Sequence, residues 1–312
     1  MELREYNKLG FEELYSRINK LKKEKKAVIL AHNYQREEVQ RIADFLGDSL
    51  ELARKAKNVD CEIILFCGVM FMAETAKILS PNRKVLIPDF YAGCPLANHA
   101  NRESVLESKK EHPDAGFVAY VNSSAEVKAE VDICCTSANA TRVVKSLSQK
   151  KVVMLPDRNL ALYTQRFTSK KIVPWDGYCH VHQGITTEHI NKARRKYPDA
   201  KIIVHPECSP EVIDIADAVG STSQILKFVQ EADAPVIIGT ERGLLNRIKL
   251  EMPDKKLGED VFVISPSVIC PNMKLTTLPK LAWALDAEKY EVEVATVTAE
   301  KAYKAIDRML SL

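Results

Sequence analysis

The chain has 312 residues, of which 46% are hydrophobic and 28% are charged, as in an ordinary globular protein. Its 45 basic and 42 acidic residues give a net charge of +3, and no basic face suited to nucleic acid is evident. No segment reaches the ~20 apolar residues of a membrane span, and the amino-terminal residues lack the apolar stretch of a secretory signal. We therefore expect a cytoplasmic protein without nucleic-acid or membrane partners, whose cysteines are reduced.

The first predicted element is a helix over residues 11–23, and after it one pattern occurs three times. Each repeat has a continuously apolar strand, a helix, a turn rich in hydroxyl residues, and two further apolar strands separated by helices. Such strands are typical of a buried parallel sheet. The predicted strands cover residues 27–32, 61–68 and 84–90, then 116–121, 151–157 and 171–177, and finally 200–205, 235–240 and 261–267.

This pattern predicts an α/β protein of three homologous doubly wound αβα sandwich domains, in a pseudo-threefold arrangement around a central site. We expect the domains at residues 1–98, 99–183 and 184–312, with an amino-terminal helix in the first and carboxyl-terminal helices in the third. Ligands of such sheets bind beyond the carboxyl ends of the strands. The residues that follow the strands are therefore the candidates for function.

Polar residues follow the first strand of each repeat, and a hydroxyl residue comes at a constant distance after them. The pairs separated by 17 positions are His32 with Ser49, Tyr120 with Ser137, and His205 with Thr222. Residues two apart on a strand share a face, which adds Tyr34, Asn122 and Glu207. Imidazole and carboxylate groups can transfer protons. We expect the hydroxyl residues to cap helices, to help the helix starts bind anions, or to do both.

A cysteine follows the third strand of each repeat, and these are Cys94, Cys179 and Cys270. A disulfide uses two thiols, so a set of three equivalent thiols favours a metal site. Zinc is one candidate, with His180 or His182 as a fourth ligand. The other is an iron–sulfur cluster. A cubane with three cysteine ligands instead of four keeps one open iron, which suits dehydration chemistry. The residues themselves leave both candidates open.

Several strings together resemble one family, quinolinate synthase, from about residue 25 to the carboxyl terminus. They are AHNYQ, IADFLGDSLELA, FMAETAKIL, YVNS, TSANA, CHVHQG, HPEC and CPNMK. The resemblance implies a three-domain fold around one 4Fe-4S cluster, held by Cys94, Cys179 and Cys270, with one open iron. It also implies condensation of iminoaspartate with dihydroxyacetone phosphate to quinolinate, with loss of phosphate and water, in NAD biosynthesis.

The resemblance also implies roles for individual residues. Those implied to be catalytic are His32, Tyr34, His205 and Glu207, and those implied to bind substrate are His32, Ser49, Tyr120, Asn122, Ser137, His205, Glu207 and Thr222. The enzyme that supplies iminoaspartate is a candidate transient partner. Some family members carry a CxxC pair before the last ligand, but Ile264 and Ser267 stand there in this chain, so no redox disulfide is expected.

Two classes other than a condensing enzyme remain open from the residues alone. An iron–sulfur sensor or electron carrier would need the fourth iron position filled. A zinc-dependent lyase or hydrolase could use the same three repeats.

Overall fold

The computed structural model describes residues 1–312 and contains three four-stranded sheets. The strands of the first sheet are β1 (Ala27–His32), β2 (Phe45–Gly47), β3 (Ile63–Cys67) and β4 (Lys84–Leu86). Those of the second are β5 (Gly116–Tyr120), β6 (Ile133–Cys135), β7 (Lys151–Leu155) and β8 (Lys171–Pro174). Those of the third are β9 (Lys201–Val204), β10 (Ala218–Val219), β11 (Val236–Gly239) and β12 (Val261–Val263).

All three sheets have the same topology, and every strand pair is parallel. The orders are β2-β1-β3-β4, β6-β5-β7-β8 and β10-β9-β11-β12. The predicted fold class, an α/β protein of three αβα sandwich domains, is therefore confirmed. The sequence pattern missed the short strands β2, β6 and β10, because two or three residues are too few to show a periodicity.

Helices separate the strands and cover both faces of the sheets. They are α1 (Leu3–Tyr6), α2 (Phe11–Glu24), α3 (Glu37–Ile42), α4 (Ser49–Asn58), α5 (Met70–Leu79), α6 (Arg102–Glu111), α7 (Ala125–Lys128), α8 (Ala140–Ser146), α9 (Arg158–Gln165), α10 (His180–Gln183), α11 (Thr187–Lys196), α12 (Pro210–Ile215), α13 (Thr222–Glu231), α14 (Leu244–Glu251), α15 (Leu278–Ala287) and α16 (Thr296–Leu310). Two short 3₁₀ helices, Ala97–His99 and Asn272–Lys274, complete the set. None of the helices is long and apolar enough to span a bilayer.

The equivalence of the repeats extends to single hydrogen bonds. An aspartate just before the second strand of each sheet accepts the backbone N–H of a residue in the first strand, at 2.8, 2.7 and 2.7 Å. The pairs are Asp44 with Ile29, Asp132 with Phe117, and Asp217 with Ile202. Because these contacts lie near the amino ends of the strands, they fix the sheets at the edge opposite the predicted site.

The largest apolar core joins the three sheets, since it contains Leu30 of β1, Val118 of β5 and Ile203 of β9. The carboxyl-terminal helices do not pack on the third sheet alone. Helix α15 packs against α2 beside the first sheet, and α16 packs against α7 and β6 of the second. The expected boundaries at residues 98/99 and 183/184 remain predictions.

Candidate functional site

A cavity lies where the strand ends of the three sheets meet. The proposed cysteine ligands and all candidate catalytic and substrate-binding residues line it, whereas His180, one of the two candidate zinc ligands, does not: the lining includes His32, Tyr34, Ser49, Cys94, Tyr120, Asn122, Ser137, Cys179, His205, Glu207, Thr222 and Cys270. These side chains come from all three repeats, although they are far apart along the chain. The lining also includes residues that the sequence pattern did not select as cavity residues, among them Asp48, Thr136, His182 and Glu241.

Two histidines occupy equivalent places after the first strands of the first and third sheets. The His32 Nδ1 accepts the backbone N–H of Tyr34 at 3.1 Å, and the His205 Nδ1 accepts that of Glu207 at 3.3 Å. An imidazole whose Nδ1 accepts carries its proton on Nε2, so each ring offers one donor. Burial is the main cause that lowers the pKa of His32 to about 3 and that of His205 to about 3. Both rings are therefore neutral donors at physiological pH.

A carboxylate from the third repeat joins two residues of the second. Glu207 is 3% exposed, and its Oε1 accepts the hydroxyl of Tyr120 at 2.6 Å. Its Oε2 lies 2.9 Å from the His182 Nδ1. Burial favours the neutral acid, but His182, His205 and the hydrogen bonds from His182 and Tyr120 outweigh it and hold the pKa of Glu207 below its usual range.

The same chain of hydrogen bonds continues into the first repeat through Thr240. The Thr240 Oγ1 is 2.8 Å from the His182 Nε2 and 2.6 Å from the phenol oxygen of Tyr34. Thr240 is completely buried and follows β11 directly. Tyr34, Thr240, His182 and Glu207 therefore form one continuous chain across the cavity, and Tyr120 ends it on the far side of the carboxylate.

The donor and the acceptor of each hydrogen bond in this series follow from the Glu207 carboxylate, which can only accept. An ionised Glu207 accepts from the His182 Nδ1, and in the tautomer that carries its ring proton on Nδ1 the His182 Nε2 accepts the Thr240 hydroxyl. The Thr240 oxygen then accepts from Tyr34. The result is a threonine–histidine–glutamate arrangement, the order of groups that activates a hydroxyl in hydrolases.

Sequence reasoning missed Thr240 and named His182 only as a fourth zinc ligand. Thr240 has an available signal: it is the first residue after the central strand β11, at the carboxyl edge of its sheet. His182 has a weaker one, since it lies three residues after Cys179 on the short helix α10. No sequence pattern reveals that these two residues touch.

The predicted hydroxyl residues lie near helix starts, but none of the three is the cap, and Ser137 lies two residues before Asn139, which holds the cap position of α8. Asp48 caps α4 and Ser221 caps α13, each through its own side-chain oxygen. Ser49 and Thr222 are the first helical residues, so the expectation that they cap is wrong. Their side chains line the cavity beside helix starts, which favour anions through free N–H groups and the helix dipole. The buried Oδ1 of Asn122 also lines the cavity and has no partner within the protein.

Each of the three cysteines begins a short helical turn. The backbone N–H three residues later, at Ala97, His182 and Met273, favours the thiolate form of each and lowers its pKa. Burial raises the pKa of Cys94 to about 12 and raises those of Cys179 and Cys270 as well. The thiols also act on one another, since Cys270 raises the pKa of Cys94 and Cys94 raises that of Cys179. Thiols with no proton acceptor, grouped around one cavity and supplied with N–H donors, have the chemistry of ligands to a metal cluster.

A second grouping overlaps this one. The ligand atoms of Cys179, His182 and Glu207 all lie within 4.8 Å of one another. Thiolate, imidazole and carboxylate are ligands that zinc accepts. The cavity therefore fits metal binding, either by the three cysteines or by this mixed set.

The fold and the cavity define an α/β enzyme whose site lies between three repeats. Residues 16–311 match the family model described as quinolinate synthetase A protein. The chain belongs to the quinolinate synthase family.

Three similar proteins are each named quinolinate synthase. The chain is 49% identical to that of Alkaliphilus metalliredigens over 297 residues, which cover 95% of this chain and 97% of the relative. It is 50% identical to that of Methanocaldococcus jannaschii and 51% identical to that of Dehalococcoides mccartyi strain CBDB1. Both matches cover 96% of this chain and 99% of the relative.

Proposed function

We propose that this enzyme condenses iminoaspartate with dihydroxyacetone phosphate to quinolinate, releasing phosphate and water, as a step of de novo NAD biosynthesis in the cytoplasm. The proposal rests on membership of the family, on the sequence resemblance and above all on one structural observation. Three thiols from equivalent positions of three repeats meet on one cavity, together with three imidazoles and three buried carboxyl groups, among them that of Glu207. A site of this composition suits proton transfer and dehydration better than electron transfer.

Cys94, Cys179 and Cys270 are the proposed ligands of one 4Fe-4S cluster. The three sulfurs and their N–H donors support this assignment, and no fourth cysteine lines the cavity. When bound, such a cluster supplies a Lewis acid at its one iron without a cysteine ligand.

The helix starts are the proposed holders of the anionic substrates. The cavity has no lysine or arginine in its lining, although both substrates carry negative charge. Helices α4 and α13 present their amino ends there with Ser49 and Thr222, and Ser137 lines the same cavity two residues before the cap position of α8. Backbone N–H groups and hydroxyls therefore replace cations as the anion-binding groups. Asn122, with its unpartnered Oδ1, would accept a hydrogen bond from a substrate amine or hydroxyl.

We propose that the series of hydrogen bonds from Tyr34 to Glu207 transfers protons. The carboxylate is the base, and Tyr120 and His182 hold both of its oxygens in place. Thr240 and His182 link this base to the phenol of Tyr34, so a proton taken at one end can be returned at the other. His32 and His205 are neutral donors that orient substrate oxygens.

A second candidate function is a zinc-dependent lyase. It is favoured by the proximity of the Cys179, His182 and Glu207 ligand atoms, which would hold one zinc ion with an open position. In this case Cys94 and Cys270 would not be ligands.

One anaerobic purification tests both candidates. We expect about four irons and four sulfides per chain, a broad visible absorption, and quinolinate formation from dihydroxyacetone phosphate and iminoaspartate generated in the assay. Replacing Cys94, Cys179 or Cys270 by serine should remove the absorption, whereas Cys134→Ser, which alters a buried strand residue of β6, should not. A colourless protein that contains zinc and is indifferent to Cys94→Ser would overturn the cluster and favour the lyase.

A further inference from the structure

Two buried carboxylates stand at equivalent positions beside the cysteines. Asp157 is the second residue after β7, and Glu241 is the second residue after β11. They are 1% and 0% exposed. Neither is part of the chain that joins Tyr34 to Glu207, and neither was singled out by its sequence pattern.

Each carboxylate makes the same pair of contacts. One oxygen accepts a local N–H: the Asp157 Oδ1 from Leu160 at 2.8 Å, and the Glu241 Oε2 from Gly243 at 2.6 Å. The other oxygen accepts the backbone N–H of the cysteine in its own repeat. The Asp157 Oδ2 is 3.1 Å from the nitrogen of Cys179, and the Glu241 Oε1 is 3.2 Å from that of Cys270.

In the first repeat, a different contact links the central strand to the cysteine loop. Val69 occupies the position two residues after β3, so no carboxylate is available there. Instead the backbone N–H of Met70 donates to the carbonyl of Ala92 at 2.7 Å, two residues before Cys94. Two of the three cysteine N–H groups thus donate to an acid that follows the central strand of their own sheet, and in the first repeat the corresponding link is made by main chain.

We propose that Asp157 and Glu241 are positioning residues, each of which fixes the backbone of one cysteine ligand relative to the central strand of its sheet. The inference rests on the proposed cluster, since its functional meaning is the placement of two of the three ligands. Each carboxylate acts through the cysteine backbone and does not touch the ligand sulfur. In metal sites, groups at this distance typically change metal affinity by about 10- to 100-fold.

The use of both oxygens explains why an acid stands at each position. Asp157 also caps α9, and an asparagine would serve as well for that role alone. The two N–H groups approach different oxygens of each carboxylate, and in an amide the –NH₂ group would replace one of these oxygens and face an N–H donor. Glu241 is also paired with Lys274, whose Nζ is 3.0 Å from Oε1, and this pair compensates its buried charge.

The first test measures metal loss from the full chain as purified anaerobically. An excess of an iron chelator is added, and the release of iron is followed for wild type, Asp157→Asn and Glu241→Gln. We expect release about 10-fold faster in both variants. Asp132→Asn is the matched control, because Asp132 accepts one strand N–H near the amino end of its sheet, at the edge opposite Cys179, and it should match wild type. Release at the wild-type rate in both site variants would overturn the proposal.

The second test needs no metal and separates this inference from the proposed function. The metal-free full chain is treated with iodoacetamide, and alkylation of each cysteine is timed by mass spectrometry. Asp157→Asn should speed modification of Cys179, and Glu241→Gln that of Cys270, while Cys94 stays at its wild-type rate in both. Equal acceleration of all three cysteines would indicate general loosening and contradict a local positioning role. A protein that makes no quinolinate would refute the proposed function and leave this comparison valid.

Discussion

The phenol oxygen of Tyr34 and the hydroxyl oxygen of Thr240 are 2.6 Å apart, although 206 positions separate the two residues in the chain. This contact joins the first repeat to the third at the cavity. It gives Tyr34 a defined acceptor and places the phenol in line with His182. Any change that removes the Thr240 hydroxyl therefore breaks the hydrogen-bonded connection between Tyr34 and the Glu207 carboxylate.

Thr240→Val is the most direct test of the hydrogen bonds that connect Tyr34 to Glu207. Valine keeps the shape of threonine but leaves the His182 Nε2 and the Tyr34 hydroxyl without their shared partner. We expect kcat for quinolinate formation to fall about 100-fold, in the range of a lost acid–base contribution, with iron content unchanged. Steady-state rates with anaerobic iron counts check this.

The matched variant is Thr240→Ser, which restores the hydroxyl without the methyl group. It should recover most of the wild-type kcat. Tyr34→Phe combined with Thr240→Val should cost less than the two single changes multiplied, because both break the same chain. If serine is as damaging as valine, the residue matters for packing and the hydrogen bonds do not.

Glu207→Gln tests the carboxylate at the opposite end of this series of hydrogen bonds from Tyr34. The amide can still accept from Tyr120, but it presents an N–H₂ group to one of its two donors and cannot take a proton. We expect kcat to fall by about 100-fold or more, with little change in the visible spectrum of the bound cluster. Turnover close to that of wild type would remove Glu207 from the acid–base role, and Glu211→Gln on the exposed face of α12 is the control.

The sequence predicted the sheets and most of the cavity because both depend on regular spacing. His32, Tyr120 and His205 follow strands whose apolar runs are visible, and Ser49, Ser137 and Thr222 come 17 positions later. Parallel strands of one sheet end at the same edge, so equivalent positions in three repeats meet if the repeats pack around one axis.

The contacts between repeats could not be predicted in the same way. That Thr240 touches both Tyr34 and His182 depends on how three sheets pack together, which no local pattern records. The helix caps were missed for a related reason. Asp48 and Ser49 are both good capping residues, and only backbone geometry decides that Asp48 is the cap.

Gly243 lies where the third repeat packs closely against Tyr34 of the first, and a substitution there tests this packing. A Cβ there would lie 2.6 Å from the Glu241 Oε2, 2.7 Å from the Lys274 Nζ and 2.8 Å from the carbonyl oxygen of Tyr34. The first two atoms can shift, but the Tyr34 carbonyl is backbone. Gly243→Ala should therefore displace Tyr34, lower kcat and destabilise the protein by about 1–3 kcal/mol.

Gly10→Ala is the control for this substitution, since a Cβ at Gly10 meets nothing within 4 Å. It should leave kcat and the midpoint of thermal unfolding near the wild-type values. An unchanged kcat in Gly243→Ala would show that Tyr34 tolerates displacement, contrary to its role in the chain of hydrogen bonds.

Glu288 gives the fold a predictable dependence on pH. It follows α15 and its carboxylate oxygens are 2.7 Å from the Lys25 Nζ and 2.5 Å from the Lys84 Nζ, so it ties this helix to the first sheet. The hydrogen bonds from Lys25 and Lys84 lower the pKa of Glu288. A carboxyl group with a lowered folded-state pKa stabilises the fold above its unfolded pKa of about 4.3, and this stabilisation is lost as pH falls through the lower folded-state pKa.

Glu288→Gln should therefore lower the midpoint of thermal unfolding at pH 7, and the gap from wild type should narrow steadily below about pH 4. Glu24→Gln is the comparison, because the Lys20–Glu24 pair is exposed on α2 and its loss should change little at either pH. Thermal unfolding of the three proteins followed by circular dichroism from pH 7 to pH 3 measures both effects. A gap that stays constant across this range would contradict the pairing, because a packing defect at residue 288 does not depend on the protonation of a carboxylate.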